Sequence, residues 1–198
     1  MRYLSHVTSE HPRKLAMFKK IIFLFCLAQL SVTAQAGLFS PDLDEIHDKI
    51  VEDYEQVEHL EASQLMEMDQ ENFVFFDVRE QKEFDVSHLD GAIQVDPDIS
   101  PEEFVERYAE QIDGKTLVFY CSVGRRSSKL LSEVSEVIDE NNVNASYNLV
   151  GGVFRWSNDE RPLVNLAQPT EKVHPYNLYW GQLIEDKEAI SYKPEDAP

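Results

Sequence analysis

"LVFYCSVGRRSS", Leu117 to Ser128, changes character at its fifth residue. Leu117 to Tyr120 are apolar and β-prone, with no alternation of polar and apolar positions. Such a run reads as a strand buried on both faces of a parallel sheet. Cys121 ends it, and Gly124, two arginines and two serines follow. From Arg125 to about Asn141, Leu130, Leu131, Val134, Val137 and Ile138 recur at helical spacing. The stretch is therefore strand, tight loop, helix, with the cysteine at the carboxyl end of the strand. In open α/β sheets that is where ligands bind.

The same grammar extends outward. "NFVFFDV" (Asn72 to Val78) is a second continuous apolar run, Ala92 to Val95 a short one, and "ASYNLVGG" (Ala145 to Gly152) a strand with a glycine stop. Helical segments separate them. One follows Val78. Another opens at Ser100-Pro101-Glu102-Glu103, with serine as cap and proline in first position, and has Phe104, Val105 and Tyr108 as its inner stripe. Ser63 to Met68 is a short helical turn, and "VFRWSNDE" (Val153 to Glu160) a short helix or turn. Upstream, Leu43, Ile46, Ile50, Tyr54, Val57 and Leu60 predict one amphipathic helix within residues 37–60, with Ser40 as N-cap. Strands alternating with helices predict an α/β fold: a mainly parallel central sheet flanked by helices on both faces. The domain is expected over residues 61–165. A tail, 166–198, is expected to pack on it, with Tyr176, Leu178, Tyr179 and Trp180 against the domain's own surface.

The N-terminal residues read differently. "RKLAMFKK" is basic, "IIFLFCLAQLSV" is an apolar run shorter than the ~20 residues of a membrane span, and "AQA" precedes Gly37. This is the layout of a secretory signal peptide over residues 1–36, with cleavage after Ala36. Met17 is a second candidate start, making 1–16 an extension. The expectation is export to a periplasm or the exterior, with no stable membrane association after cleavage. An uncleaved anchor is the alternative. Cleavage removes five basic residues and one acid, taking the formal net charge from −19 to about −23. It also removes Cys26, so Cys121 has no partner for an internal disulfide. A chain this acidic is a poor partner for nucleic acid.

Two adjacent arginines beside a lone cysteine stand out against that charge. A tight loop of backbone N–H groups forms an anion-binding nest. The helix N-terminus adds partial positive charge, and Gly124 permits the curl. Arg125 and Arg126 add formal charge. All of these favour thiolate, whose pKa falls from about 8.5 to roughly 3.5–7.5 in such settings. A two-unit drop requires about 2.7 kcal/mol. The alternative is a core cysteine with two solvated arginines, although basic residues at a helix N-terminus oppose the dipole. His47, His59 and His174 have no metal-ligand spacing, and with one cysteine no zinc site is expected.

"YCSVGRRS" resembles the active-site loop of rhodanese-like sulfurtransferases: cysteine, four residues, arginine, with glycine third after the cysteine. "FFDVREQKEFDVSHLDGAIQV" is similar to that family's upstream signature through Asp77, Arg79, Glu83, Phe84, His88, Gly91, Ala92 and Ile93. Asp90 stands where many members have proline. "YNLVGGVFRW" resembles its closing Leu-x-Gly-Gly-x-x-x-Trp. The resemblance implies Cys121 as a nucleophile carrying a persulfide, with the loop from Ser122 through Val123, Gly124, Arg125 and Arg126 to Ser127 binding substrate. Arg126 would orient the loop or bind the donor, and Arg125 would face substrate. Asp77, Arg79 and His88 would be structural support, with Asp77 near the floor of the site. No cofactor is implied. The expected partners are a small anionic sulfur donor such as thiosulfate and a thiol or cyanide acceptor, or a protein sulfur acceptor. Two other readings remain: a non-catalytic or sulfur-relay module on the same fold, and a phosphatase or arsenate reductase. The latter use a Cys-x5-Arg loop, one residue longer than the span from Cys121 to Arg126.

Overall fold

The computed structural model describes residues 42–166 and 168–194; the expected leader and its cleavage point lie outside them. Strand β4 (Thr116–Tyr120) is the centre of the sheet, and all five of its residues are buried. Its continuous apolar run follows from coverage on both faces. Leu117, Phe119 and Cys121 turn to one side, and Val118 and Tyr120 to the other, each set joining a separate hydrophobic cluster.

Around β4 lie β1 (His59–Leu60), β2 (Phe73–Asp77), β3 (Ile93–Gln94) and β5 (Ala145–Leu149), in the order β1-β5-β4-β2-β3. Every pairing is parallel. Parallel strands need crossovers. These run through α2 (Ala62–Glu67), α3 (Gln81–Phe84), α4 (Pro101–Ile112) and α5 (Arg125–Asp139), with α1 (Leu43–Asp53) ahead of β1 and α6 (Gly152–Asn158) after β5. The cap of α4 forms as predicted: Ser100 Oγ accepts from the Glu103 amide at 3.2 Å, with Pro101 in the first turn. Helices α4 and α5 cover the Leu117/Phe119 face through Phe104, Ile112, Leu130, Leu131, Val134 and Ile138.

The first helix departs from its predicted extent. It starts after Asp42, whose carboxylate accepts from the Asp44 amide, and it stops at Asp53. Val57 and Leu60 keep helical spacing yet serve different layers, Val57 with the Leu117 cluster and Leu60 with the Val118 cluster. Between them the chain crosses to the sheet edge, where Asn148 N donates to Glu58 O at 2.8 Å and β1 pairs with β5. Sheet pairing overrides a periodicity that arose from burial on opposite sides.

The opposite face is closed by α2, α6 and the C-terminal segment. Strands β6 (Leu163–Asn165) and β7 (Gln168–Thr170) form an antiparallel ribbon, and Val164 exchanges two backbone bonds with His88, each 2.9 Å. Val173, Leu183, Ile184 and Ala189 are buried in the same cluster as Val118 and Tyr120. The apolar tail residues are divided. Trp180 packs on that cluster and the Tyr176 ring lies over Arg126, but Leu178 and Tyr179 are 83% and 54% exposed, which corrects the expectation that all four pack. Among the described residues no helix is long and apolar enough to cross a membrane.

Candidate active site

Cys121 follows the last residue of β4 directly and is 1% exposed. The loop curls back through Gly124, whose φ of +95° lies in the region open to glycine. A Cβ there would meet Asn148 Nδ2 at 3.0 Å and Leu149 O at 3.4 Å. Helix α6 fixes the loop from the other side. Val153 N donates to Cys121 O at 2.9 Å and Phe154 N to Ser122 O at 3.0 Å. Gly152 sits so close that a Cβ would fall 2.3 Å from Cys121 O. Those bonds hold the Cys121 and Ser122 carbonyls on α6, and the backbone amides of Val123 and Ser127 favour the thiolate.

The thiol is subject to opposed effects. Burial pushes its pKa up. The Arg126 charge, the Ser127 amide and hydroxyl, and the Val123 amide outweigh it, so the pKa lies below its ordinary value.

Arg126 is tightly engaged. Its Nη1 and Nη2 donate to the two Glu83 carboxylate oxygens at 2.8 Å each, and Nη2 also donates to Ser122 Oγ at 3.0 Å. Glu83 is fully buried. Burial alone would raise its pKa, but the bonds and charge of Arg126, with the charge of Arg79, hold it below the ordinary carboxylate range. Arg126 also acts on Cys121 through its charge. Its fork is therefore committed to the protein. Arg125 is placed differently. Its guanidinium pairs with Asp53 of α1 at 2.9 Å, half-exposed, and among the two arginines only Arg126 is a leading influence on the thiol. Helix α1, docking beside the loop with Ile50 near Gly124, supplies the carboxylate that Arg125 meets.

Asp77 and Arg79 form a fully buried pair. Arg79 Nε donates to Asp77 Oδ1 at 2.8 Å, and Nη2 donates to Asp77 Oδ2 and to Ser87 O, both at 2.6 Å. Asp77 stands opposite Tyr120, one residue before the cysteine. The pair ties β2 to the segment that carries Glu83. His88 stacks on Phe84 at 3.8 Å, and its Nδ1 lies 3.0 Å from Phe84 O.

On the far side of the loop is a neutral network. Ser127 Oγ donates to Asn148 Oδ1 at 2.6 Å, and Asn148 Nδ2 lies 3.2 Å from His59 Nδ1. A hydroxyl has one proton, so Asn148 competes with the sulfur for it. Burial, then the neighbouring His47, push the His59 pKa down to about 4, so the ring is neutral at neutral pH and its Nδ1 can accept from the facing Asn148 amide group. Sequence reasoning gave no role to Glu83, Asn148 or His59. Glu83 was marked only by its place in the upstream motif, and nothing local marks the other two. Among the described residues no three His, Cys, Asp or Glu side chains are grouped to hold a metal ion.

The family model for the rhodanese-like domain matches residues 60–159, which is the span from β1 through α6, cysteine loop included. The chain belongs to the rhodanese-like domain family. The rhodanese-like chain is 41% identical over 66 residues to the tRNA uridine(34) hydroxylase of Staphylococcus epidermidis (strain RP62A), covering 31% of this chain and 20% of that protein. It is 30% identical over 108 residues to the protein of the same name from Salmonella newport, covering 52% and 29%. It thus spans less than a third of the length of these relatives. A solved structure of the thiosulfate sulfurtransferase of Pseudomonas aeruginosa is similar with a TM-score of 0.48 and 18% identity, over 64% of this chain and 23% of that one.

Proposed function

We propose that this protein is a sulfurtransferase working through a Cys121 persulfide. The observation that carries the reading is a cysteine, deeply buried yet held below its ordinary pKa by Arg126 and the Ser127 and Val123 groups, at a strand end. Burial should disfavour thiolate; here the loop and Arg126 reverse it, which serves a nucleophile and has no use in a packing residue.

The Cys121 thiolate attacks the outer sulfur of thiosulfate or a similar donor. The sulfur–sulfur bond of the donor breaks, and its electron pair leaves with sulfite. Cys121 then carries a persulfide anion, for which the Val123 and Ser127 amides are the natural donors. Cyanide or a thiolate attacks the outer sulfur, forming thiocyanate or a persulfide, and the Cys121 thiolate is regenerated. Two covalent half-reactions predict ping-pong kinetics. With the Arg126 fork occupied by Glu83 and Ser122, a compact donor is held by loop amides rather than by a free arginine. A protein acceptor suits the same chemistry. Export through the N-terminal leader belongs to this reading. RNA chemistry is not carried over from the relatives named above. The segment shared with them is a minor part of their length, and a net charge of −19 opposes a polyanion.

The test is mass spectrometry of the purified protein after thiosulfate treatment. A gain of one sulfur atom on Cys121, lost in Cys121→Ser and discharged by cyanide, is expected. An unmodified thiol, or full thiosulfate:cyanide activity in Cys121→Ser, would overturn the reading.

A further inference from the structure

The tail lies beyond the family-matched segment, yet it reaches Arg126. The Tyr176 ring lies 5.0 Å from the Arg126 guanidinium carbon. The edge of that guanidinium is taken by Glu83 and Ser122, so its planar face is what remains, and an aromatic ring fits a guanidinium face.

The backbone at Tyr176 supports a purpose for this contact. Its φ is +62°, a conformation costly for a residue with a Cβ. The turn is pinned: Tyr176 N donates to His174 Nδ1 at 3.0 Å, and Asn177 N to Pro175 O at 2.7 Å. His174 is buried, with its ring edge-on to Tyr192 at 5.4 Å. Before it, buried Val173 donates to Ala189 O at 2.8 Å and accepts from Ser191 N at 3.0 Å. The chain then runs on to buried Leu183 and Ile184 and returns to Val173 through Ala189 and Ser191, so the turn that carries Tyr176 is anchored on both sides.

We infer that Tyr176 is a positioning residue for the cysteine site, completing from the C-terminal tail the set of groups that hold Arg126 against Cys121. Glu83 and Ser122 fix the guanidinium in its plane, and the ring restrains it across the plane and keeps water from that face. The other titratable and charged groups around this point are Arg79 and Lys82, which with Glu83 and Glu80 act on His174. This inference rests on the reading of Cys121 as the reacting thiol, and it makes the thiol's acidity depend on a segment outside the matched domain.

The experiment is the pH dependence of Cys121 alkylation by iodoacetamide, a neutral reagent, in the full chain and in Tyr176→Ala and Tyr176→Phe. The midpoint, rather than the absolute rate, is read, because removing the ring also opens access. Tyr176→Ala is expected to raise the midpoint by roughly half a pH unit, about threefold less thiolate below it. Tyr176→Phe, which keeps the ring, is expected to restore the wild-type midpoint, with melting temperatures alike in all three. Coincident midpoints for Ala and wild type, or a Phe variant that behaves like Ala, would overturn the inference. The result is separable from the proposed function. A midpoint shift without sulfur uptake from thiosulfate sinks the sulfurtransferase reading alone, and uptake without a shift sinks the role of Tyr176 alone.

Discussion

Cys121 is held from two sides that differ in kind. On one side Glu83, Arg126 and Tyr176 form a charged cluster reaching toward solvent. On the other, Ser127, Asn148 and His59 form a neutral network, with Ser127 and Asn148 fully buried. The charged flank acts on the ionisation of the thiol across space. The neutral flank acts at short range, through the Ser127 amide and hydroxyl, the one proton that hydroxyl shares with Asn148, and the close packing of Gly124 against Asn148. Formal charge beside the sulfur moves its pKa from a distance, whereas the neutral network sets where the loop and its donors sit.

Removing the cation should have the largest effect. Arg126→Met leaves Glu83 buried without its partner. About 3 kcal/mol of stability should be lost, toward the low end for buried pairs because a quarter of the Arg126 side chain faces solvent. The thiol midpoint should rise toward the ordinary value, read by urea unfolding and by alkylation. An unmoved midpoint would break the distinction between the flanks.

Glu83→Gln sharpens it by splitting two readouts. Loss of the charged acceptor should cost about 1–3 kcal/mol, while Arg126, no longer neutralised, should lower the thiol midpoint further. The acid limb should change too. A carboxylate held below its ordinary pKa contributes stability present above about 4.5 and lost as the pH falls through its folded value. The variant should therefore have a flatter stability profile below that pH.

Asn148→Ala probes the neutral flank. It removes the acceptor of the Ser127 hydroxyl and the contact to His59, and should destabilise by about 1–3 kcal/mol. The thiol midpoint should stay or fall slightly, because the released hydroxyl can turn to the sulfur. A clear rise would erase the contrast. On the same flank, His59 titrates near 4 when folded against an ordinary 6.5. Its contribution is fully present above about 6.5 and fades as the pH falls toward 4, so His59→Leu should flatten stability between pH 7 and 5. The smallest effect should come from Arg125→Ala, which breaks a half-exposed pair with Asp53. At most about 1 kcal/mol and no shift of the thiol midpoint are expected; a shift would return Arg125 to the site.

The adjacent arginines mark how far the residues alone reach. Strand, loop and helix around Cys121 were legible because they follow from local pattern: a doubly buried run, a glycine in a left-handed curl, helical spacing after it. The helix at Ser100 was legible from its cap for the same reason. The division of labour between Arg125 and Arg126 was visible only through the motif. The pairing of Arg125 was not legible, because its partner, Asp53, belongs to a helix whose docking no local pattern describes. The first helix misled for a related reason, since apolar residues bound for different layers happened to keep one period.

The sequence by itself determined the parallel α/β class, the place of the cysteine at a strand end and the membership of the loop, because each rests on residues a few positions apart. The tertiary structure decided what acidifies and steadies the thiol. Glu83 meets Arg126 across 43 residues, His59 meets Asn148 across 89, and Tyr176 arrives from the tail. Contacts at such separations leave no periodicity in the chain; they exist only once the sheet and both its covering layers have formed.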